Sequence, residues 1–402
     1  MEYHLQTQAV HAGREDFREL GVHAPPLDLS TTYPMRSLQS GRDSIDQLSA
    51  GGAQAESAIY ARLHNQTVFR YECAFAQMEQ AEAGIAFASG MAAIHAVLLS
   101  MRVRDLEDVV KRNHIVAVRP IYGCTDHLLS CGLLGFDVEW VTADQIGAAI
   151  TAQTALVVVE TPANPTLTLM DLANVMRQAG AVPVMVDNTF ATPILQQPLT
   201  LGATFSVHSG TKYLGGHGDV LSGLVATNNM WAARVRQVRI LTGGNLHPMA
   251  AYLLHRSLPT LPLRVLKAQE NAILLAERIA THPAIAAVYF PGLGASDPTD
   301  IVGRQMKGPG SVIAFEMRGG FAAAAKTMDS TELFLAAVSL GSTDSLIEHP
   351  AGLTHRIVSQ EGRNTSGITE GLLRIAVGIE FVEDLWQDLK QALDTAFAAV
   401  AE

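Results

Sequence analysis

Val182-Pro183-Val184-Met185-Val186-Asp187-Asn188-Thr189-Phe190 and, shortly after it, Phe205-Ser206-Val207-His208-Ser209-Gly210-Thr211-Lys212-Tyr213 decide how this chain is read. Each is a short apolar run that ends in polar residues. Buried strands of a parallel sheet have this form, because both faces are covered and the functional groups gather at the carboxyl edge. The reading places Asp187 at one strand end and Lys212 just past the next, with Gly215-Gly216-His217-Gly218-Asp219 turning the chain afterwards.

An acid and a lysine so placed, with the hydroxyls of Ser209 and Thr211 beside the lysine, suit pyridoxal phosphate held as a Schiff base. The lysine forms the imine, the aspartate faces the pyridine nitrogen and the hydroxyls reach the phosphate. A carboxylate about 4 Å from a cationic ring nitrogen is worth about 4 kcal/mol at an effective dielectric of about 20, enough to keep the ring protonated. On this segment alone, a solvated lysine after a strand and a turn-forming aspartate fit equally well.

The composition narrows the class. A chain of 402 residues with 48% hydrophobic and 17% charged residues is globular, and its length favours two domains plus an arm. A net charge of -11 repels nucleic acid and anionic membranes in bulk, while leaving room for a local anion site. Cys73, Cys124 and Cys131 form no CxxC pair and no disulfide framework, which favours a reducing cytoplasm over secretion. Met1-Glu2-Tyr3-His4-Leu5-Gln6 has no apolar signal core, no run approaches a membrane span, and no metal-ligand spacing stands out.

Outward from the opening segment, apolar strands alternate with helices. Gly84-Ile85-Ala86-Phe87-Ala88 leads through Ser89-Gly90-Met91 into a helical run, an arrangement that aims backbone N–H groups and a helix dipole at an anion. It lacks a GxGxxG fingerprint, so a dinucleotide site is not expected. Ile115-Val116-Ala117-Val118 ends near Tyr122-Gly123-Cys124-Thr125. A tyrosine there either stacks on a flat ring and exchanges a proton, or is an ordinary strand-end aromatic. Leu156-Val157-Val158-Val159-Glu160 precedes Thr161-Pro162-Ala163-Asn164-Pro165, whose prolines fix a loop around the Asn164 side chain. A helical stretch over 172–179 follows. The alternation argues for an α/β domain with a mostly parallel sheet.

The two ends read differently. Residues 1–65 are polar and irregular, with a Gly/Ser/Gln-rich stretch over 37–57, and are expected to form an arm leaning on something else, such as a neighbouring subunit. Arg62, beside Tyr60, is a phosphate candidate, although a lone surface arginine accounts for the motif as well. Beyond about residue 258, a strand at Ser311-Val312-Ile313-Ala314-Phe315, another at Leu372-Leu373-Arg374-Ile375 and a closing helix with Leu385, Leu389 and Leu393 on one face indicate a smaller α+β domain. The boundaries are thus 1–65 for the arm, 66–258 for the large cofactor-binding domain and 259–402 for the small domain.

Taken together, these blocks resemble the Cys/Met metabolism family of pyridoxal-phosphate enzymes, which includes cystathionine γ-synthases, cystathionine γ- and β-lyases and methionine γ-lyases. The resemblance runs from Thr7-Gln8-Ala9-Val10-His11-Ala12-Gly13 almost to the C-terminus and is most specific over 160–165, 186–193 and 208–219. It implies a type I pyridoxal-phosphate transferase fold: a mostly parallel, seven-stranded-type sheet in a large domain, with a smaller α+β domain. It also implies a homotetramer of two catalytic dimers.

The resemblance implies a role for each matching residue. Lys212 is the Schiff-base lysine and Asp187 the ring-nitrogen partner. Gly90, Met91, Ser209 and Thr211 hold the phosphate, joined by Tyr60 and Arg62 of a neighbouring subunit. Tyr122 stacks on the ring and protonates the departing sulfur, Asn164 contacts cofactor or substrate, and Arg374, helped by Ser339, clasps the α-carboxylate. Cys124 and Val338 look most like methionine γ-lyases, since cystathionine enzymes often place a glycine and a glutamate there.

The expected reaction is therefore γ-elimination from a sulfur amino acid, methionine or cystathionine, giving a thiol, ammonia and a 2-oxo acid. The alternatives are γ-replacement on an activated homoserine and an inactive regulatory relative. Three departures stand out: Arg239-Ile240 where methionine γ-lyases often have Lys-Asp, Asn65-Gln66-Thr67 in place of Asn-Pro-Thr, and the 37–57 stretch, which resembles an insertion near the active-site entrance. Arg239 is read as a possible polar contact to substrate.

Overall fold

The computed structural model describes residues 3–103, 112–297 and 299–401, so the first two residues of the arm and the last of the chain lie outside it. Among the described residues, the larger sheet contains β1 (Ala83–Phe87), β2 (His114–Val118), β3 (Asp137–Val141), β4 (Thr154–Glu160), β5 (Val184–Asp187), β6 (Phe205–Ser209) and β7 (Gly223–Thr227). A second sheet contains β8 (Ile285–Tyr289), β9 (Val312–Met317), β10 (Leu335–Ala336), β11 (Leu346–Glu348) and β12 (Leu372–Ala376). The chain divides into two compact units, one formed by Met1–Arg112, Val182–Thr189 and Gln197–Pro262, the other by Asn113–Ala181, Phe190–Gln196 and Leu263–Glu402.

In the first unit the strand order is β1-β7-β6-β5. β5 and β6 run parallel, with Asp187 opposite Val207, whereas β7 runs antiparallel to both β6 and β1. The α/β, mostly parallel class is borne out, with β7 as an antiparallel return that the apolar run alone does not distinguish. The helix Gln66–Glu79 starts where Asn65 accepts hydrogen bonds from the Thr67 and Val68 N–H groups. That cap makes a proline at the next position unnecessary, since Gln66 lies in the first turn, where an N–H has no helical acceptor anyway.

The stretch expected to be irregular is instead a helix, Leu38–Ser49, capped by the Ser37 hydroxyl. Gly41, Ser44 and Leu48 form its buried face, and Leu48 is 0% exposed. Small residues at helical spacing with one large anchor make a packing face of low hydrophobicity, which composition hides. Downstream, Arg236 Nη1 and Gln237 Nε2 donate to the carbonyls of Gly51 and Ala50.

In the second unit β2 pairs in parallel with both β3 and β4. All of β4 is buried, including Leu156, Val157, Val158 and Val159. Burying each such side chain stabilises the fold by about 1.5–3 kcal/mol, so a strand of this kind holds its terminal residue, Glu160, firmly in place. The helix Leu172–Ala179 matches the predicted span and is capped by Asp171. In the smaller sheet, ordered β10-β11-β12-β9-β8, Ile313, Phe315, Leu373 and Ile375 pack with Leu385, Leu389 and Leu393 of the closing helix Val382–Ala401. Among the described residues no helix is long and apolar enough to cross a membrane.

Candidate active site

The first unit gathers the acid, the lysine and a helix start. Asp187 closes β5 and is buried, with Oδ1 accepting both the N–H of Thr189 (3.0 Å) and its hydroxyl (2.6 Å). The same Thr189 oxygen accepts the Ser209 N–H (2.9 Å), so one threonine links the ends of β5 and β6. Burial pushes the Asp187 carboxyl up from its ordinary value, while the Thr189 bonds and the charge of His208 pull it back. A buried carboxylate held this way fits a cationic group such as a protonated pyridine nitrogen, which would favour its charged form.

Lys212 follows β6 in a tight turn in which its N–H donates to the Ser209 carbonyl (3.1 Å) and its own carbonyl accepts from Gly216 (2.7 Å). Gly90 opens the helix Gly90–Ser100 next to Ser209, and a Cβ at Gly90 would fall 3.0 Å from the Ser209 Cβ. Met91 follows in that first turn, where helical N–H groups point outward. A helix start without a side chain, bordered by a serine, is a fitting cradle for a phosphate.

Thr211 is engaged elsewhere: its hydroxyl donates to the Ser222 carbonyl (3.2 Å) and accepts the Ser222 N–H (3.0 Å). Arg62 lies over the Tyr60 ring and donates to the Ile240 carbonyl (2.6 Å) of its own chain.

Three features here escape sequence reasoning. Thr189 is the link just described. Behind the strands, fully buried Glu79 meets His208 Nε2 at 2.5 Å, and Asn188 reaches the same Glu79 oxygen at 3.5 Å. Arg239, expected as a polar contact to substrate, is instead buried in an ion pair with Glu72 and donates to the Ala86 carbonyl (3.0 Å). It holds β1 to the helix Gln66–Glu79, because a guanidinium buried here requires a carboxylate partner.

The second unit gathers the tyrosine, the asparagine and the arginine. Glu160, at the end of β4, accepts the Tyr122 N–H on Oε2 (2.7 Å) and the Asn164 N–H on Oε1 (2.8 Å). Burial pushes the Tyr122 phenol well above its ordinary range, reinforced by a hydrogen bond with Cys124 and by the charges of Glu160 and Glu348. The phenol is therefore held protonated. Gly123 is required beside it, since a Cβ there would lie 2.3 Å from the Thr354 carbonyl oxygen.

Arg374, 2% exposed, donates from Nη1 to Asn164 Oδ1 (2.7 Å) and from Nη2 to the Ser339 carbonyl (2.9 Å). Directly across the β11–β12 ladder, Glu348 Oε1 pairs with the same Nη1 at 2.7 Å and also accepts the Thr354 hydroxyl (3.0 Å). Among the described residues, the buried Arg374 Nε finds no hydrogen-bond partner. His355, alongside, has its pKa lowered to about 4, first by burial and then by the Arg374 charge. Ser339 carries φ of +109°, a conformation that favours glycine, and the neighbouring Val338 is 51% exposed.

The predicted residues thus fall into two sets, one bringing Asp187, Ser209 and the Lys212 turn next to Gly90, the other hydrogen-bonded and joining Tyr122, Cys124, Asn164, Ser339 and Arg374. Sequence reasoning passed over Glu160, Glu348 and His355. An acid closing an otherwise apolar strand is the signal that marks the two carboxylates.

Comparison with known proteins follows the same lines. The family model described as Cys/Met metabolism PLP-dependent enzyme matches residues 6–394. The chain is 51% identical over 398 residues to the L-methionine gamma-lyase of Brevibacterium sandarakinum, covering 98% of this chain and 99% of that one. It is 48% identical over 392 residues to the L-methionine gamma-lyase of Streptomyces avermitilis, covering 97% and 89%. The structure is similar to that of cystathionine gamma-lyase from Lactobacillus plantarum complexed with L-serine (TM-score 0.88, 31% identity, 98% and 100% covered). It is equally similar to that of cystathionine gamma synthase from Xanthomonas oryzae pv. oryzae (TM-score 0.88, 34% identity, 99% and 100% covered).

Proposed function

The chain belongs to the Cys/Met metabolism family of pyridoxal-phosphate-dependent enzymes, and on that premise we propose that it is a carbon–sulfur lyase that eliminates the γ-methylthio group of methionine as a thiol, releasing ammonia and a 2-oxo acid. The observation that carries the reading is the buried Asp187 at the end of β5, next to the strand that leads into the Lys212 turn. Full-length likeness to enzymes named L-methionine gamma-lyase supports methionine over other sulfur amino acids.

Pyridoxal phosphate, when bound, supplies the electron sink that makes the substrate's α- and β-hydrogens acidic. Lys212 would attach the cofactor, and its Nζ would hold and move protons at the substrate. Asp187 would face the ring nitrogen and favour its protonated form. Gly90, Met91 and Ser209 would hold the phosphate, joined by Tyr60 and Arg62 of a second subunit in a homotetramer of catalytic dimers, while Thr211, whose hydroxyl is bonded to Ser222, would border it. Tyr122 would border the cofactor ring, and its phenol, held protonated, would deliver a proton to the leaving sulfur. Arg374 binds the α-carboxylate, with Asn164 and Ser339 setting its plane. Free Cys73, Cys124 and Cys131 accord with a cytoplasmic setting.

Val338 and Cys124 border the substrate's distal end. An apolar, exposed Val338 offers a thioether methyl about 0.8 kcal/mol per carbon buried and offers a distal ammonium nothing. Purified enzyme supplied with methionine or cystathionine, with and without cysteine, tests the reading through thiol and 2-oxo acid release. Methionine is expected to be cleaved preferentially, and Val338→Glu is expected to move the ratio of kcat/KM toward cystathionine. Suppression of 2-oxo acid by cysteine, with a new thioether formed, would support γ-replacement instead.

A further inference from the structure

We infer that Glu160 is a positioning residue that sets the proton donor and the carboxylate clamp together, by tying the loop of Tyr122 and the loop of Asn164 to the end of one strand. The inference rests on the roles proposed above for Tyr122 and Arg374. Glu160 ends the fully buried β4 and is 3% exposed. Its two oxygens are divided between two loops: Oε2 takes the Tyr122 N–H (2.7 Å) and Oε1 takes the Asn164 N–H (2.8 Å). Asn164 passes the constraint on, because its Oδ1 accepts from Arg374 Nη1 (2.7 Å). One carboxylate therefore sits two hydrogen bonds from the guanidinium and one from the backbone of the phenol donor.

The chemistry requires a carboxylate here. Two buried N–H donors on separate loops need two acceptors a fixed distance apart, and an ionised carboxylate provides both as charge-assisted bonds. Glutamine provides one acceptor and one NH₂ group, which leaves one loop's N–H facing a donor. Aspartate keeps both acceptors but lacks the reach to serve both loops. The groups bearing on Tyr122 come from several elements: Cys124 on its own loop, Glu160 on β4 and Glu348 on β11, with Arg374 on β12 paired to Glu348. Among these, Glu160 alone bonds to the backbone of both loops.

Hydrogen exchange on the protein without cofactor tests the tie itself. In Glu160→Gln and Glu160→Asp, exchange is expected to accelerate in the Tyr122 or Asn164 segments by on the order of tenfold, as a buried N–H loses its acceptor. Asp388→Asn serves as the comparator, since Asp388 also accepts backbone N–H groups, those of Glu332, Leu333 and Phe334, outside the site. It should leave the two loops protected even where it lowers global stability equally. Wild-type protection of both loops in the Glu160 variants overturns the inference.

A double-mutant cycle on kcat/KM with the loaded enzyme separates this inference from the reading beneath it. Glu160→Gln is expected to cost about tenfold in the wild-type background and clearly less in Tyr122→Phe. Losses that simply multiply overturn action through Tyr122. Full turnover by Tyr122→Phe alone refutes the proton-donor role instead, and hydrogen exchange still decides whether Glu160 ties the loops.

Discussion

The two sets of site residues are built on different principles. Around Asp187 and Lys212, functional groups stand at the ends of adjacent parallel strands, brought close by backbone register and linked by the Thr189 hydroxyl. Around Tyr122, Asn164 and Arg374, they sit on loops and on a short ladder, and buried carboxylates hold them: Glu160 by accepting backbone N–H groups, Glu348 by facing Arg374 across β11–β12. The first arrangement is rigid through the sheet. The second is rigid only while its charges are matched, because an uncompensated buried charge costs several kcal/mol. Removing one functional group should therefore silence the first region without loosening it, whereas the second should respond to pH and to conservative changes.

The largest expected effect is on the strand-built side. Lys212→Ala should abolish turnover while the cofactor-free protein unfolds near the wild-type temperature, since the change removes chemistry and little apolar area. Measurable steady-state turnover in the purified variant would break the comparison at its firmest point.

The charge-built side should show itself in acid. His355 has a folded pKa of about 4 against an ordinary 6.5, so the unfolded chain binds the extra proton between these values. Stability from this group is complete above pH 6.5 and is lost as pH falls toward 4, by about 3 kcal/mol in total. Urea unfolding across that window should show the wild type losing stability more steeply than His355→Gln. Equal slopes would mean that the histidine accepts its proton without penalty in the folded state.

Arg374→Lys should lower kcat/KM for methionine by about 2 kcal/mol, because a planar fork joined to Asn164, Glu348 and Ser339 becomes a point charge. Unchanged kinetics would move the carboxylate clamp elsewhere. The smallest effect concerns Ser339, whose φ of +109° is strained for any residue with a Cβ. Ser339→Gly should raise unfolding stability by about 1 kcal/mol, the relief of strain exceeding the added chain entropy. A destabilised variant would show that the serine side chain, not the backbone, sets the loop.

What was legible in the sequence follows the same division. Buried strands such as Leu156-Val157-Val158-Val159 announce themselves through unbroken apolar runs, and a strand-end acid and lysine carry their meaning locally. The helix Leu172–Ala179 was readable for the same reason, its apolar face recurring at helical spacing. The antiparallel direction of β7 was not, because a run buried on both faces has the same composition in either direction. Nor was the helix Leu38–Ser49, whose buried face consists of Gly41, Ser44 and Leu48. The carboxylates at 160 and 348 were hidden for a third reason: their partners lie on other loops and strands, and spacing along the chain says nothing about such pairings. Arg239 is the converse case: a charged residue at a family-variable position suggests a substrate contact, whereas its partner is the buried Glu72.

The turn that carries Lys212 is closed at its neck, where Thr211 and Ser222 exchange hydrogen bonds through backbone and hydroxyl. Inside the closure Tyr213 and Leu214 are buried, while His217, Gly218 and Asp219 at the tip are open to solvent. The position of Lys212 and the sequence of the tip are thereby uncoupled. Lengthening a flexible tip costs only about 0.6 kcal/mol per doubling of the loop, and the neck keeps that disturbance from the lysine. A change of length at the tip should thus leave the neck closed, although the tip lies within 208–219, one of the stretches most specific to the family.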